Sequence, residues 1–160
     1  MELPRRKSTR IAGYDYSTPH YYFITICAHE HRCIFGSPDQ LNSVGKTVQK
    51  HIQNIPRYYQ QVFVDKYVVM PNHIHMILVL EGTDNPSVTQ IIGQFKTGVT
   101  KELRLRYPDR KIWQRSFHDH VIRNQASYEK IWNYIEGNPQ CWHKDCFFQY
   151  EENTPVGEGL

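Results

Sequence analysis

The sequence has no apolar run of the roughly 18 residues needed to span a bilayer. Its first residues are charged and contain no apolar stretch like that of a signal peptide, so we expect a cytoplasmic protein without a membrane partner. Internal repeats, low-complexity tracts and long linkers are absent as well, which argues against a repeat architecture. The formal charge of +3 is small, so it permits nucleic-acid binding without requiring it.

Cysteine is also scarce, and its spacing does not match a common zinc module. The cysteines lie in two segments that also carry histidines, residues 27–33 and 141–146. Neither segment has the two-residue separation that is typical of structural zinc sites. We therefore expect ordinary reduced thiols and surface histidines in these segments. The cysteines are Cys27, Cys33, Cys141 and Cys146.

The length and composition predict one globular domain. The chain has 160 residues, of which 39% are hydrophobic and 22% are charged, as in ordinary globular proteins. We divide it into a basic arm over 1–18, a single domain over 19–150 and an acidic tail over 151–160. The arm contains closely spaced cations that suit phosphate contacts, although a solvated tail fits them equally well. These cations are Arg5, Arg6, Lys7 and Arg10.

Residue periodicity predicts four strands and three helices. The predicted strands are 21–27, 62–70, 73–80 and 111–123, and the predicted helices are 41–59, 88–103 and 128–137, the last after an N-cap at Ser127. This order favours an α+β fold, in which helices pack on one mostly antiparallel four-stranded sheet. A short turn joins the second and third strands, so we expect them to be an antiparallel pair at the centre of the sheet.

The most informative feature is His73-Ile74-His75, at the start of the third predicted strand. Alternate side chains of a strand share a face, so both imidazoles project to the same side. An imidazole is costly to bury without a partner, and two imidazoles side by side repel each other when both are protonated, so a divalent metal such as Mg²⁺ or Mn²⁺ would resolve both problems. Oxygen ligands would complete such a site. The alternative is a structural pair. We expect the histidines to face the surface, so that His73→Ala leaves the fold intact.

Tyr134 lies on the last predicted helix, and Asn138 follows one turn later on the same face. A tyrosine on an amphipathic helix is usually a core residue, but Tyr134 flanks the apolar stripe of its helix. A phenol, with a pKa of about 10, attacks phosphorus better than an aliphatic alcohol does. The phosphotyrosine bond conserves the energy of the phosphodiester, which permits rejoining. Tyr134 is therefore a candidate nucleophile.

Several motifs, in collinear order, resemble those of the single-tyrosine HUH transposases, named for their His-hydrophobic-His motif. Residues 71–75 resemble that motif, and residues 133–139 resemble the tyrosine motif. Other segments are similar to the REP-associated tyrosine transposases in particular. These segments are 10–17, 22–27, 95–96 and 113–123, and the whole resemblance extends over about residues 8–148.

The resemblance implies a ferredoxin-like fold and a metal-dependent enzyme that nicks and rejoins single-stranded DNA near hairpins. His73 and His75 would hold the metal, and Tyr134 would attack the phosphate and keep the 5′ end. A glutamine one turn after the tyrosine completes the metal site in related transposases, and this chain has the shorter Asn138 there. The reserve candidates for a third ligand are His118, Asp119 and His120. Assembly stays open between a monomer and a homodimer.

Hairpin recognition needs both phosphate clamps and base-edge readers. The expected DNA contacts are Arg5, Arg6, Lys7 and Arg10 of the arm and Lys96, Lys101 and Arg104 of the middle helix. For each cation, a solvated charge is the competing interpretation. Two other functions fit the same residues: a catalytically silent DNA-hairpin binder on this scaffold, and a metal-dependent hydrolase that forms no covalent intermediate.

Overall fold

A computed structural model describes residues 10–140 of the protein. This part contains four strands and three α-helices in the predicted order. They are β1 (His20–Cys27), α1 (Ser43–Tyr58), β2 (Val62–Val69), β3 (His73–Leu80), α2 (Val88–Leu103), β4 (His118–Ile122) and α3 (Gln125–Gly137). None of the helices in this part is long and apolar enough to cross a membrane.

The strands form one antiparallel sheet in the order β2-β3-β1-β4. This confirms the predicted four-stranded sheet with helices packed on it. The prediction of β2 and β3 as the central pair is wrong, because β1 lies between β3 and β4 and leaves β2 at the edge. Ile24 and Ile26 of β1 are fully buried, as an interior strand requires. β2 instead carries Asp65 and Lys66, charges that an edge strand tolerates.

The two faces of the sheet carry different cores. On one face, α1 and α2 cover a large apolar cluster that includes Ile24 and Met76 of the sheet. On the other face, α3 covers a smaller cluster built on Ile77. His73, His75 and Ile77 occupy every second position of β3, so their side chains all point to the α3 face. The histidine pair therefore lies on the face with the smaller core.

Residues 10–18, which we assigned to the basic arm, pack on the sheet. Tyr16 is only 8% exposed and joins the large core. Arg10 forms an ion pair with Asp119 of β4 at 2.7 Å. The arm cations Arg5, Arg6 and Lys7 and the tail 151–160 lie outside the described residues. The domain boundaries at residues 18 and 150 stay predictions.

The fourth strand is shorter than predicted. We expected a strand over 111–123, but the chain pairs with β1 only over His118–Ile122. Upstream of β4, Trp113 makes one isolated bridge to Ala28. Between that bridge and β4, the carbonyl groups at positions 114 and 116 accept hydrogen bonds from a lysine side chain of α2, so this stretch leaves the ladder.

The predicted N-cap of α2 is confirmed, and the predicted N-cap of α3 is wrong. Ser87 caps α2 as predicted, in a capping box with Gln90. The last helix begins at Gln125, three residues before the predicted start, because Asn124 is its cap. The side-chain oxygen of Asn124 accepts the Ser127 N–H at 2.8 Å, so Ser127 lies inside the first turn.

Candidate active site

The histidine pair occupies the first and third positions of β3, directly after the turn at residues 71–72. That turn joins β3 to β2 in an antiparallel hairpin, and β1 pairs with the other edge of β3. His75 lies directly opposite Thr25 of β1. Two neighbouring strands therefore hold the backbone of the pair, which places both rings on the α3 face.

Each imidazole is held through its Nδ1 atom. His73 Nδ1 lies 2.6 Å from Asn72 Oδ1, and His75 Nδ1 lies 2.8 Å from Thr25 Oγ1. The two Nε2 atoms face each other at 3.0 Å. One consistent proton arrangement runs along this chain of groups: the Thr25 hydroxyl donates to His75, His75 Nε2–H donates to His73, and His73 Nδ1–H donates to Asn72.

The same groups fit a divalent cation. When the Thr25 hydroxyl accepts instead of donating, the proton of His75 sits on Nδ1, and both Nε2 lone pairs become available to one ion. Their separation of 3.0 Å is close to that of adjacent ligands around an octahedral ion with bonds of about 2.1 Å. Across residues 10–140, no three His, Cys, Asp or Glu side chains form a metal site. Amide, water or substrate oxygens would have to supply the other ligands.

Tyr134 lies on α3 over the pair. Its hydroxyl is 3.5 Å from His75 Nε2, and the two ring centroids are 5.2 Å apart. Phe23 of β1 contacts both rings, edge-on to Tyr134. The tyrosine side chain remains 41% exposed, while the next residue, Ile135, is buried in the small core. The phenol is therefore open to a substrate and is also within reach of the histidines.

Asn138 is the C-terminal boundary residue of α3, one turn beyond Tyr134. It is only 2% exposed, and its backbone N–H donates to the Ile135 carbonyl at 3.3 Å. A buried amide at the end of the tyrosine helix is one source of an oxygen ligand for the pair. Its role as a third ligand stays a prediction.

The expectation that the histidines face the surface is wrong. His73 is fully buried and His75 is 2% exposed, because Asn72, Thr25 and the Tyr134 helix enclose them. A truncation of either ring would therefore leave a polar group without its hydrogen-bond partner inside the protein. This has a cost in stability that must be separated from any effect on chemistry.

The reserve ligands on β4 divide between the two faces of the sheet. His118 lies opposite Thr25 and therefore shares the face of the histidine pair. His120 occupies the next position on that face. Asp119 points to the other face, where its carboxylate binds Arg10. Asp119 is thus misplaced for the role of a third ligand, because alternate residues of a strand project in opposite directions.

His31 is a site neighbour that sequence reasoning missed, since we expected a surface histidine. The pKa of His31 is lowered below its usual value, mainly because the ring is partly buried and also because it lies near the imidazoles of His73 and His118. The turn after β1 brings it there through two left-handed residues, Glu30 at φ 56° and His31 at φ 55°. Such conformations are uncommon outside glycine and have no signal in residue spacing.

Two of the predicted DNA contacts are engaged in structural interactions. The Arg10 guanidinium donates to the Phe117 carbonyl, besides its ion pair with Asp119, and it lies 3.6 Å from the centroid of the Phe117 ring. The Lys96 ammonium donates to the carbonyl groups of Gln114 at 2.7 Å and Ser116 at 3.1 Å. Burial lowers the pKa of Lys96. Lys101 and Arg104 are exposed, as a phosphate contact requires.

Replacing Lys96 with alanine is expected to destabilise the fold. The change leaves two carbonyl groups without their charged donor, so the free energy of unfolding should fall by about 1–3 kcal/mol. Lys101→Ala, an exposed site on the same helix, is the matched control and should change it by less than about 0.5 kcal/mol. Chemical denaturation measures both values, and equal stability of the two variants would contradict the structural role of Lys96.

Residues 16–138 match a family model described as "Transposase IS200 like". An uncharacterized protein of Haemophilus influenzae is 35% identical over 167 residues, which cover 89% of this chain and 93% of that protein. A second Haemophilus influenzae protein is 26% identical over 136 residues, which cover 78% of this chain and 73% of its own. The provisional name of this second relative is REP-associated tyrosine transposase.

A solved structure agrees with these matches. It is described as a REP-associated tyrosine transposase bound to a REP hairpin, and it aligns with 88% of this chain and 73% of its own chain at a TM-score of 0.62 and 24% identity. This likeness confirms the fold class that the sequence predicted. The family model covers the histidine pair, Tyr134 and Asn138. The chain therefore belongs to the family of IS200-like transposases, and two of the proteins that it matches are described as REP-associated tyrosine transposases.

Proposed function

We propose that this protein is a metal-dependent endonuclease and strand transferase that nicks and rejoins single-stranded DNA near hairpins. The observation that carries the proposal is the 3.5 Å approach of the Tyr134 hydroxyl to His75 Nε2 within one chain. A nucleophile beside two convergent imidazoles suits phosphoryl transfer through a phosphotyrosine, because the imidazoles can hold a cation next to the attacked phosphate. Membership of a transposase family supports the same assignment.

In the proposed reaction, the Tyr134 oxygen attacks the scissile phosphorus and loses its proton. The bond from phosphorus to the 3′ oxygen breaks, and that oxygen leaves as a 3′ hydroxyl after it gains a proton. The 5′ phosphate remains on Tyr134. Attack by the same or another 3′ hydroxyl on the phosphotyrosine reverses these steps and restores the phenol. The number of phosphodiester-type bonds is conserved, so the reaction needs no oxidant, reductant or nucleotide.

His73 and His75 would hold Mg²⁺ or Mn²⁺ through Nε2, with Asn138 as a further ligand. The ion would polarise the scissile phosphate and stabilise the charge that develops on its oxygens. Thr25 and Asn72 contribute by holding the rings, because a fixed Nδ1 fixes the direction of Nε2. Burial of the pair limits competition from water for these contacts.

DNA with a hairpin is the proposed partner, since one structural relative is described as bound to a REP hairpin. Of the predicted DNA contacts that lie within residues 10–140, Lys101 and Arg104 are exposed and available to bind phosphates. Arg5, Arg6 and Lys7, which precede the described residues, are proposed as further contacts. Because Tyr134 reaches the histidines of its own chain, we propose that one copy carries a complete set of reacting groups and acts as a monomer.

The direct test is a search for a covalent adduct. Hairpin oligonucleotides from the inverted repeats that flank the coding sequence are incubated with the protein and Mn²⁺, labelled at either the 5′ or the 3′ end. The 3′-labelled fragment should become attached to the protein and resist denaturation, whereas the 5′-labelled fragment should be released with a 3′ hydroxyl. Cleavage without an adduct at any time would favour the hydrolase, and hairpin binding without cleavage would favour the silent binder.

A further inference from the structure

The edge strand β2 contains an irregularity opposite the tyrosine helix. Val64 pairs with Leu78 of β3, but Lys66, two residues later, pairs with the adjacent Ile77. Asp65 is therefore the extra residue of a β-bulge. In a regular strand, Asp65 and Lys66 would point to opposite faces, whereas the bulge turns both toward α3.

Both bulge residues contact α3. The Tyr128 hydroxyl donates to the Asp65 carboxylate, and this hydrogen bond is the main cause that raises the pKa of Tyr128 to about 12. The Lys66 ammonium forms an ion pair with Glu136 and lies 4.1 Å from the centroid of the Trp132 ring. We call Asp65 and Lys66 together the α3 clamp.

The α3 clamp holds one ridge of the helix along nearly its whole length. Tyr128, Trp132 and Glu136 recur every four residues, so their side chains lie above one another on one side of α3. Tyr134 is two residues from both Trp132 and Glu136, so it projects from nearly the opposite side of the helix, toward His75. A rotation or a slide of α3 on the sheet would therefore displace the phenol from the histidines.

α3 buries fewer apolar residues against the sheet than α2 does. Ile135 is the one fully buried residue of α3, with the partly buried Tyr128, Ile131 and Trp132 packed around it, whereas α2 buries six residues. The hydrophobic contribution to the placement of α3 is correspondingly small. The polar contacts with the edge strand therefore account for a larger share of its placement than such contacts usually do.

We propose that the α3 clamp, Asp65 and Lys66 on the bulge of β2, positions the tyrosine helix so that Tyr134 meets the histidine pair. Lys66 and Asp65 are positioning residues, which act through α3 and touch no reacting atom. This inference rests on the proposed function for its effect on the reaction, but its effect on α3 is independent of any activity. The Lys66–Glu136 pair is partly exposed, with side chains 22% and 58% accessible, so it adds little to global stability.

The first test needs no DNA. Hydrogen exchange of α3 amides is followed by mass spectrometry in the wild type, Lys66→Glu, Glu136→Lys and the double variant with exchanged charges. Each single variant should speed exchange across 125–137 by about tenfold, and the double variant should restore protection. Lys50→Glu is the matched control, because it reverses a lysine in an ion pair with Glu102 that joins α1 to α2.

The second test measures the reaction. The rate of adduct formation should fall by about tenfold to a hundredfold in Lys66→Glu, with hairpin affinity and melting temperature close to those of Lys50→Glu. The charge-exchanged double variant and Lys66→Arg should recover most of the rate. A purely structural role predicts that the melting temperature falls together with the rate and that both recover together in the charge-exchanged variant.

Two results would overturn the clamp: α3 exchange in Lys66→Glu no faster than in Lys50→Glu, or single-variant defects that the exchanged pair does not repair. Failure of the proposed function gives a different pattern, in which the wild type forms no adduct with any hairpin. Exchange data from the same proteins still decide whether the clamp holds α3.

Discussion

Tyr134→Phe is expected to abolish the covalent adduct and to lower strand cleavage by at least about 10⁴-fold, as loss of an enzymatic nucleophile does. The substitution removes only the hydroxyl that lies 3.5 Å from His75 Nε2. The ring keeps its edge-on contact with Phe23, so α3 should stay in place. The measurement is adduct formation on 3′-labelled single-stranded DNA, resolved on a denaturing gel.

The matched control for this variant is Tyr58→Phe. Tyr58 is 71% exposed on α1, the helix that packs on the opposite face of the sheet. Its hydroxyl should have no effect on cleavage. Hairpin affinity should be unchanged in both variants, because neither loses a charge or a stacking ring. An adduct that persists in Tyr134→Phe would assign the nucleophile to another residue.

The second large effect is expected for His75→Ala, which should lower cleavage by about 10²–10³-fold, as the loss of one electrostatic partner at a reacting phosphate does. The same change should lower the free energy of unfolding by about 1–3 kcal/mol, because the buried Thr25 hydroxyl loses its partner. Cleavage is therefore measured well below the melting temperature, over a range of Mn²⁺ concentrations.

Thr25→Val separates the two effects of that substitution. It removes the hydrogen bond to His75 Nδ1 but keeps the imidazole and its Nε2 atom. The free energy of unfolding of Thr25→Val should fall by about as much as that of His75→Ala. Its cleavage rate should fall only about tenfold, as is usual when a residue that orients a metal ligand is changed. If His75→Ala and Thr25→Val lower the cleavage rate to the same extent at saturating Mn²⁺, a metal-ligand role for His75 is contradicted.

Strand periodicity alone predicted that the two histidines of the site share one face of β3. A strict alternation of side chains places His73 and His75 on one face, and the described structure has them there with Nε2 atoms 3.0 Å apart. Helical periodicity likewise placed Tyr134 beside the apolar stripe of α3. Their approach to each other could not follow from local patterns, because it depends on how α3 packs across the sheet. The family resemblance supplied that expectation.

The errors of the sequence prediction have a common physical cause. Regular periodicity cannot reveal a bulge, so Asp65 and Lys66 would be assigned to opposite faces, although both contact α3. Residue periodicity likewise cannot predict the left-handed turn at Glu30 and His31 that brings His31 next to the site. Lys96 was expected to contact DNA or to be a solvated charge, since the carbonyl groups that it binds belong to a segment about 20 residues away. Long-range partners decide each of these positions.

The separation of the two cores has a consequence for the evolution of this protein. Within residues 10–140, most of the buried apolar residues lie between the sheet and α1 or α2, on the face opposite Tyr134 and the histidine pair. A mutation that removes the Tyr134 hydroxyl therefore leaves the main source of folding energy untouched. A lineage that loses the proposed cutting activity in this way would inherit an intact, folded scaffold, on which selection can act for a new role.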